Sequence, residues 1–263
     1  MKVLFLGYGK MGSSLGEAWL KKRLVDQVVS VDPNAKAVFD AEIYSDISEL
    51  PEIYFDLVVV AVKPALGVQA IATLPFRLIE NACLVSIMAG VTCEALRSAI
   101  HDKMPIIRAM PNTPVLLNAG CTALYAPESL NQEIKTAMDR LFSSVGKSCW
   151  VGTEDLLHAV TAISGSGPAY FHLFSEALAE AGIELGLETE LAQKLSAYTA
   201  FGAASQQCEV GANFVDLRLA VTSPNGTTDA AIRSLELNSA LRMLVKNAAK
   251  AAFERSVKLS KTN

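Results

Sequence analysis

The sequence predicts an α/β chain: a doubly wound, largely parallel sheet over residues 1–152, then an all-α domain over residues 153–263. Three observations carry this. Short apolar runs alternate with helix-spaced segments through the first half. A glycine-rich loop, Gly7-Tyr8-Gly9-Lys10-Met11-Gly12, directly follows the first apolar run. After Gly152 the strand-like runs stop and stretches rich in Ala, Gly and Ser replace them, as in LFSEALAEAGIELGL and LSAYTAFGAASQ.

Strands are expected at 3–6, 28–32, 57–62, 84–88, 106–110, 122–125 and 149–151. The run at 57–62 is apolar throughout, as a parallel strand covered on both faces requires. Helices are expected at 12–22, 35–41, 66–74, 94–100 and 132–142, alternating with those strands. Further helices are expected at 153–163, 168–181, 189–208, 215–221, 228–236 and 239–258. The long ones are apolar on most sides, and a domain of this size encloses little interior. A second copy of the chain is therefore expected to cover much of that surface, as a homodimer or a larger homo-oligomer.

Composition limits what the chain can do. Its 263 residues are 51% hydrophobic, with a mean hydropathy of +0.30. No apolar run reaches the ~18–20 residues a membrane span needs, so no membrane partner is expected. A net charge of −4 and the lack of a basic tract argue against nucleic acid. The start MKVLFLGYGK has too short an apolar run for a secretory leader, and a cytoplasmic location is expected. Cys83, Cys93, Cys121, Cys149 and Cys208 form no C-x-x-C pair and are expected to be reduced, mostly buried thiols. Glu176 and Glu180 share a helix face without a third ligand, so no metal is expected. His101, His158 and His172 are expected in surface or packing roles.

The glycine loop opens a helix and is followed by a second strand ending in an acid, Asp32. In that setting Gly7 allows a tight turn, Gly9 lets a pyrophosphate approach the backbone, and Gly12 permits close packing of helix on strand. This is a Rossmann-type dinucleotide site, and its helix N-terminus would meet the phosphates. Asp32 suits a ribose 2′-hydroxyl and favours NAD; Asn34 and Lys36 beside it suit a 2′-phosphate, so NADP stays open. Ala61-Val62-Lys63-Pro64 follows a buried strand at the carboxyl edge, where open sheets bind ligands. Met110–Pro114 is a rigid turn at another strand end, with Asn112 and Thr113 in place for the nicotinamide pocket. In the helical half, Ser166 lies in SGSGPAY at a helix start. SPNGTT, Ser223–Thr228, precedes another, and the amides of Asn225, Gly226, Thr227 and Thr228 are expected to be free there.

Taken together, the glycine loop, AVKP (61–64), IMAGVT (87–92), IRAMPNTP (107–114), SGSGPAY (164–170) and VTSPNGTT (221–228) resemble the pyrroline-5-carboxylate reductase family. The resemblance spans residues 2–258. It implies hydride transfer from NADH or NADPH to 1-pyrroline-5-carboxylate, giving L-proline in the final step of proline biosynthesis. It implies cofactor contacts from residues 7–12 and 61–64 and from Ala89, Gly90 and Asn112, and substrate contacts from Ser166 and Asn225–Thr228. Thr228 is the implied catalytic residue, near the ring nitrogen. The substrate would sit between cofactor and helices, with a partner chain contributing. Asn225 stands where the family has glycine, and asparagine is the non-glycine residue best suited to a positive φ. Met88 replaces a small residue and is expected to narrow the wall near the cofactor.

The rival of the same plan is a β-hydroxyacid dehydrogenase, which needs a basic group for the alcohol proton. Its lysine and asparagine positions fall here on Phe171 and Ser175, so the base is missing. A non-catalytic dinucleotide sensor is the second alternative, and it would not need Thr227 and Thr228.

Overall fold

The computed structural model describes residues 1–34, 40–100, 104–127 and 129–261. It divides into two compact units, Met1–Ser166 with Ala252–Asn263, and Gly167–Ala251.

The first unit contains an eight-stranded sheet. Its strands are β1 (Lys2–Leu6), β2 (Gln27–Val31), β3 (Glu42–Tyr44), β4 (Leu57–Val60), β5 (Cys83–Ser86), β6 (Ile106–Met110), β7 (Gly120–Tyr125) and β8 (Gly146–Trp150). The order is β3-β2-β1-β4-β5-β6-β7-β8. Among the described residues only the β6–β7 pairing is antiparallel. The order reverses between β1 and β4, which puts the topological switch point beside the glycine loop.

Alternate residues of β1 supply two cores. Val3 and Phe5 join Leu15 and Trp19 of α1 (Lys10–Lys21) on one face. Leu4 and Leu6 join, on the other, Ile71 of α2 (Pro64–Ala72), Leu78 and Ile79 of α3 (Phe76–Ile79), and Leu96 of α4 (Cys93–Ala99). Burial on both sides explains why the strands read as unbroken apolar runs. Trp19 anchors the first face: its ring meets Phe5 and Phe142, and its Nε1 donates to the Leu141 carbonyl at 3.0 Å. Phe142 and Leu141 come from α5 (Gln132–Ser143).

Two differences from expectation have local causes. β3 is three residues long and was not foreseen; it gains its place by pairing with β2 at the sheet edge. The helix expected at 153–163 is shorter, α6 (Leu156–Val160), and continues as a π-turn, Thr161–Gly165, straight into α7 (Gly167–Glu184). The Ser166 amide closes the wide turn on the Thr161 carbonyl at 2.8 Å, so the Ser-Gly run absorbs an extra residue without ending the helical path. The helix expected at 35–41 rests on residues 35–39, which lie outside the described residues, as does His101.

Met88 is buried in the core rather than exposed at a surface. Its side chain is buried among α2 and β4 residues, where a Cβ on Gly67 would collide with its sulfur. The small residue opposite accommodates the large one. The five cysteines form no disulfide; Cys83 and Cys93 are buried, whereas Cys149 and Cys208 are exposed.

The second unit holds α7, then α8 (Thr189–Gln207), α9 (Phe214–Ala220), α10 (Thr227–Glu236) and most of α11 (Ala240–Ser260). α7 and α8 pack closely at Gly182, where an added Cβ would lie 3.3 Å from that of Ala192, and Ser196 Oγ donates to the Ser175 carbonyl at 2.7 Å. Phe171, Leu173, Leu195, Tyr198, Phe201 and Leu244 are at least half exposed, which leaves a broad apolar surface. Among the described residues no helix is long and apolar enough to cross a membrane.

Candidate functional site

The glycine loop lies at the carboxyl end of β1. α1 starts at Lys10 with Gly9 as its N-cap, and no side chain caps it. The first intrahelical bond runs from Ser13 to the Gly9 carbonyl, so the amides of Lys10, Met11 and Gly12 have no acceptor among the described residues. A Cβ added to Gly9 would meet nothing within 4 Å, whereas one on Gly7 or Gly12 would strike backbone within 3 Å. The loop is thus packed from behind and open in front, which fits a pyrophosphate laid against the helix N-terminus.

Backbone, not side chains, is what this loop offers. The Tyr8 ring turns into the core against Phe5, and burial, then Glu17, raises its hydroxyl's pKa. Met11 packs against the same core, and Lys10 lines a groove beside Ser14, Leu116 and Asn118. Asp32 ties the loop to β2: one carboxylate oxygen accepts from the Tyr8 amide at 2.8 Å and the other from the Asn34 amide at 2.9 Å. Each oxygen keeps a lone pair for a ribose hydroxyl. Asn34 is exposed, and Lys36 lies outside the described residues.

Ala61 and Val62 lie directly behind Gly7. Lys63 is exposed and is the N-cap of α2, with Pro64 in its first turn. Ala89 is half-buried against Met110, Ala123 and Leu157, and Gly90 takes a positive φ of 74°. Asn112 is nearly buried and its amide group is engaged: Nδ2 donates to the Ser164 carbonyl at 3.1 Å, and Oδ1 accepts from the Cys121 amide at 2.8 Å. It therefore clamps the β6 edge to the π-turn that carries Ser164–Ser166. The Ser166 amide closes that turn rather than opening a helix.

Sequence reasoning missed one further cluster. Arg108 points from β6 into the interior, and its Nη1 donates to Glu154 Oε1 at 2.9 Å; the same oxygen accepts from the Cys93 amide at 2.7 Å. Burial and the Glu154 charge push the Cys93 thiol up to about 12, which keeps it protonated. The available signal was an arginine inside the apolar strand IIRAM.

In the second unit, Gly226 is the N-cap of α10 and supplies no side-chain cap. Two of the four amides expected to be free are engaged: Asn225 donates to Asp229 Oδ2 at 3.0 Å and Gly226 to the Ser223 carbonyl at 3.0 Å. The amides of Thr227, Thr228 and Asp229 have no acceptor among the described residues, because the first helical bond starts at Ala230. The free amides are therefore those of residues 227–229 rather than 225–228. Thr228 is half-buried and Thr227 exposed. The Asn225 amide, then Arg233, holds the Asp229 carboxyl below its usual range.

A dinucleotide loop at the switch point of a doubly wound sheet, followed by an apolar helical domain, defines a Rossmann-type oxidoreductase. Residues 154–259 match the family model for pyrroline-5-carboxylate reductase dimerisation, and residues 2–90 match that for NADP oxidoreductase, coenzyme F420-dependent. A pyrroline-5-carboxylate reductase of Pseudomonas aeruginosa is 37% identical, over 98% of this chain and 97% of its own. The structure of a pyrroline-5-carboxylate reductase from Coxiella burnetii is similar with a TM-score of 0.88 at 33% identity, covering 98% of each chain. That of Plasmodium falciparum pyrroline carboxylate reductase, with NADP bound, has a TM-score of 0.86 at 29% identity, over 99% of this chain and 98% of that one. The chain belongs to the pyrroline-5-carboxylate reductase family.

Proposed function

We propose that this protein reduces 1-pyrroline-5-carboxylate to L-proline, with NADH or NADPH as hydride donor. The observation that carries the reading is the uncapped start of α10, which offers three free amides and two threonine hydroxyls to a small anion. Residues 1–152 take the dinucleotide and residues 153–263 the substrate carboxylate. The protein acts in the cytoplasm as a homodimer or larger homo-oligomer through its helical half, a reading supported by the dimerisation match and the exposed apolar helices.

Lys10, Met11 and Gly12 hold the pyrophosphate through their amides, and Asp32 accepts from the adenosine ribose. Asn34, next to it in the chain, borders that ribose. Residues 61–64 and Ala89–Gly90 contact the cofactor mainly through backbone, and Asn112 shapes the nicotinamide side by fixing the turn at Ser164. Once bound, the reduced nicotinamide supplies the hydride.

A cyclic imine asks little else of the protein. Its nitrogen is protonated before the carbon accepts hydride, so no strong base is needed, in keeping with Phe171 and Ser175 where the rival chemistry has lysine and asparagine. Amides of Thr227, Thr228 and Asp229, at the turn formed by Asn225 and Gly226, grip the carboxylate. Charge-assisted hydrogen bonds contribute ~1.5–3 kcal/mol each, so three give roughly 4.5–9 kcal/mol before binding costs. Millimolar to micromolar affinity needs ~4–8 kcal/mol. Ser166 is a further substrate contact through its hydroxyl, and the Thr228 hydroxyl holds the ring nitrogen.

The test is a spectrophotometric assay of purified protein with 1-pyrroline-5-carboxylate and NADH or NADPH in parallel. Oxidation is expected with at least one, and the ratio of rates measures the influence of Asp32. No oxidation with either overturns the reading. Thr228→Ala is expected to lower kcat by about 10–100-fold, the effect of losing substrate orientation, with the melting temperature unchanged. Wild-type turnover in that variant would remove Thr228 from the mechanism.

A further inference from the structure

The turn before α10 is fastened by a carboxylate that belongs to the helix itself. Asp229 is the third residue of α10. Its Oδ2 accepts from the Asn225 amide at 3.0 Å and from Arg233 Nη2 at 2.7 Å, and Oδ1 faces Arg233 Nε at 3.3 Å. An acid at this position usually returns to the N-cap amide. Here it reaches one residue further, because the N-cap amide of Gly226 is already bonded to Ser223. The residue it fastens is Asn225, at a φ of 60°, where an L-residue needs outside support.

The same bonds do a second thing. A carboxylate in the first turn is attracted to the unpaired amides of its own helix start. Left free, Asp229 would compete with any anion for Thr227 and Thr228 and would repel it. Its bonds to Asn225 and Arg233 hold its oxygens away from those amides, and the guanidinium offsets its charge.

We propose that Asp229, backed by Arg233, is the positioning residue of the substrate cradle: it fixes the Asn225 turn and keeps the amides of Thr227–Asp229 open for the imino acid's carboxylate. It touches neither cofactor nor reacting atoms. This rests on the reading of the α10 start as the carboxylate cradle, and it predicts an effect confined to substrate affinity.

The experiment compares wild type, Asp229→Asn, Asp229→Ala and the double variant Asp229→Ala/Asn225→Gly, varying each substrate separately. KM for 1-pyrroline-5-carboxylate is expected to rise from wild type through Asp229→Asn, whose amide oxygen still accepts, to about 10-fold in Asp229→Ala, the scale of one charge-assisted hydrogen bond. KM for the dinucleotide is expected to stay near wild type. Adding Asn225→Gly should recover part of the loss, since glycine holds a positive φ unaided. An unchanged imino-acid KM in Asp229→Ala, or a parallel rise in dinucleotide KM, overturns the proposal. If Asp229→Ala does not fold, an unchanged imino-acid KM in Asp229→Asn does the same. A wild-type protein without activity would defeat the cradle reading separately. The fastening is then still tested by hydrogen exchange at the Asn225 amide, which must be faster in Asp229→Asn than in wild type for the pin to stand.

Discussion

Glu154→Ala is expected to lower the unfolding free energy by about 3–5 kcal/mol, the usual cost of stripping one partner from a buried ion pair. Arg108 has a side-chain exposure of only 4%, and Glu154 Oε1 is its ion-pair partner at 2.9 Å. Truncating Glu154 leaves a guanidinium in the sheet interior without a counter-charge. It also strips the acceptor from the Cys93 amide at the start of α4. The comparison that separates these costs is Arg108→Met/Glu154→Gln, which removes both charges and keeps a carbonyl oxygen for Cys93. That double variant is expected to be more stable than Glu154→Ala, because an apolar replacement of a buried pair is often close to neutral. Urea unfolding followed by circular dichroism reads both. A Glu154→Ala midpoint equal to that of wild type would show that Arg108 is solvated in the native state.

The way this pair escaped the sequence shows where legibility ends. An arginine within IIRAM announces that a buried charge needs a partner, but nothing in the chain identifies a glutamate 46 positions away. Periodicity did reveal most strands of the sheet, because burial on both faces leaves unbroken apolar runs, as at Val3–Leu6 of β1 and through β4. It missed β3, whose three residues are too few to show a period and whose place depends on pairing with β2. SGSGPAY looked like a break between helices since Ser and Gly favour caps and turns. The i to i+5 bond from Ser166 to Thr161 kept it helical, and that choice depends on geometry rather than composition. At the cradle the motif was legible and the wiring was not. SPNGTT marked a helix start, but which amides remain free was settled by the Ser223 carbonyl and by the Asp229 carboxylate, whose reach back to Asn225 no pattern in the chain spells out.

The glycine loop allows fold and ligand to be separated by two substitutions two residues apart. Gly7 has a φ of 90°, and a Cβ there would come within 2.8–2.9 Å of Val62 Cγ1 and the Ala61 carbonyl group. Gly7→Ala therefore combines a left-handed backbone penalty with overpacking against a neighbouring strand end, together about 2–5 kcal/mol. It is expected to lower stability and dinucleotide affinity alike. Gly9 differs in both respects. Its backbone is extended, with φ −68° and ψ −167°, which alanine adopts freely, and its Cβ would enter open space. Gly9→Ala is expected to unfold within about 0.5 kcal/mol of wild type, as surface substitutions usually do. Its affinity for NADPH or NADH should nevertheless fall at least about 10-fold, because the added methyl stands where a pyrophosphate must approach the α1 amides. Isothermal titration with each dinucleotide, paired with thermal melts, reads the two effects independently. Unweakened binding in Gly9→Ala would mean that the space in front of the loop is not where the phosphates lie, and the assignment of Lys10–Gly12 as their donors would fall with it.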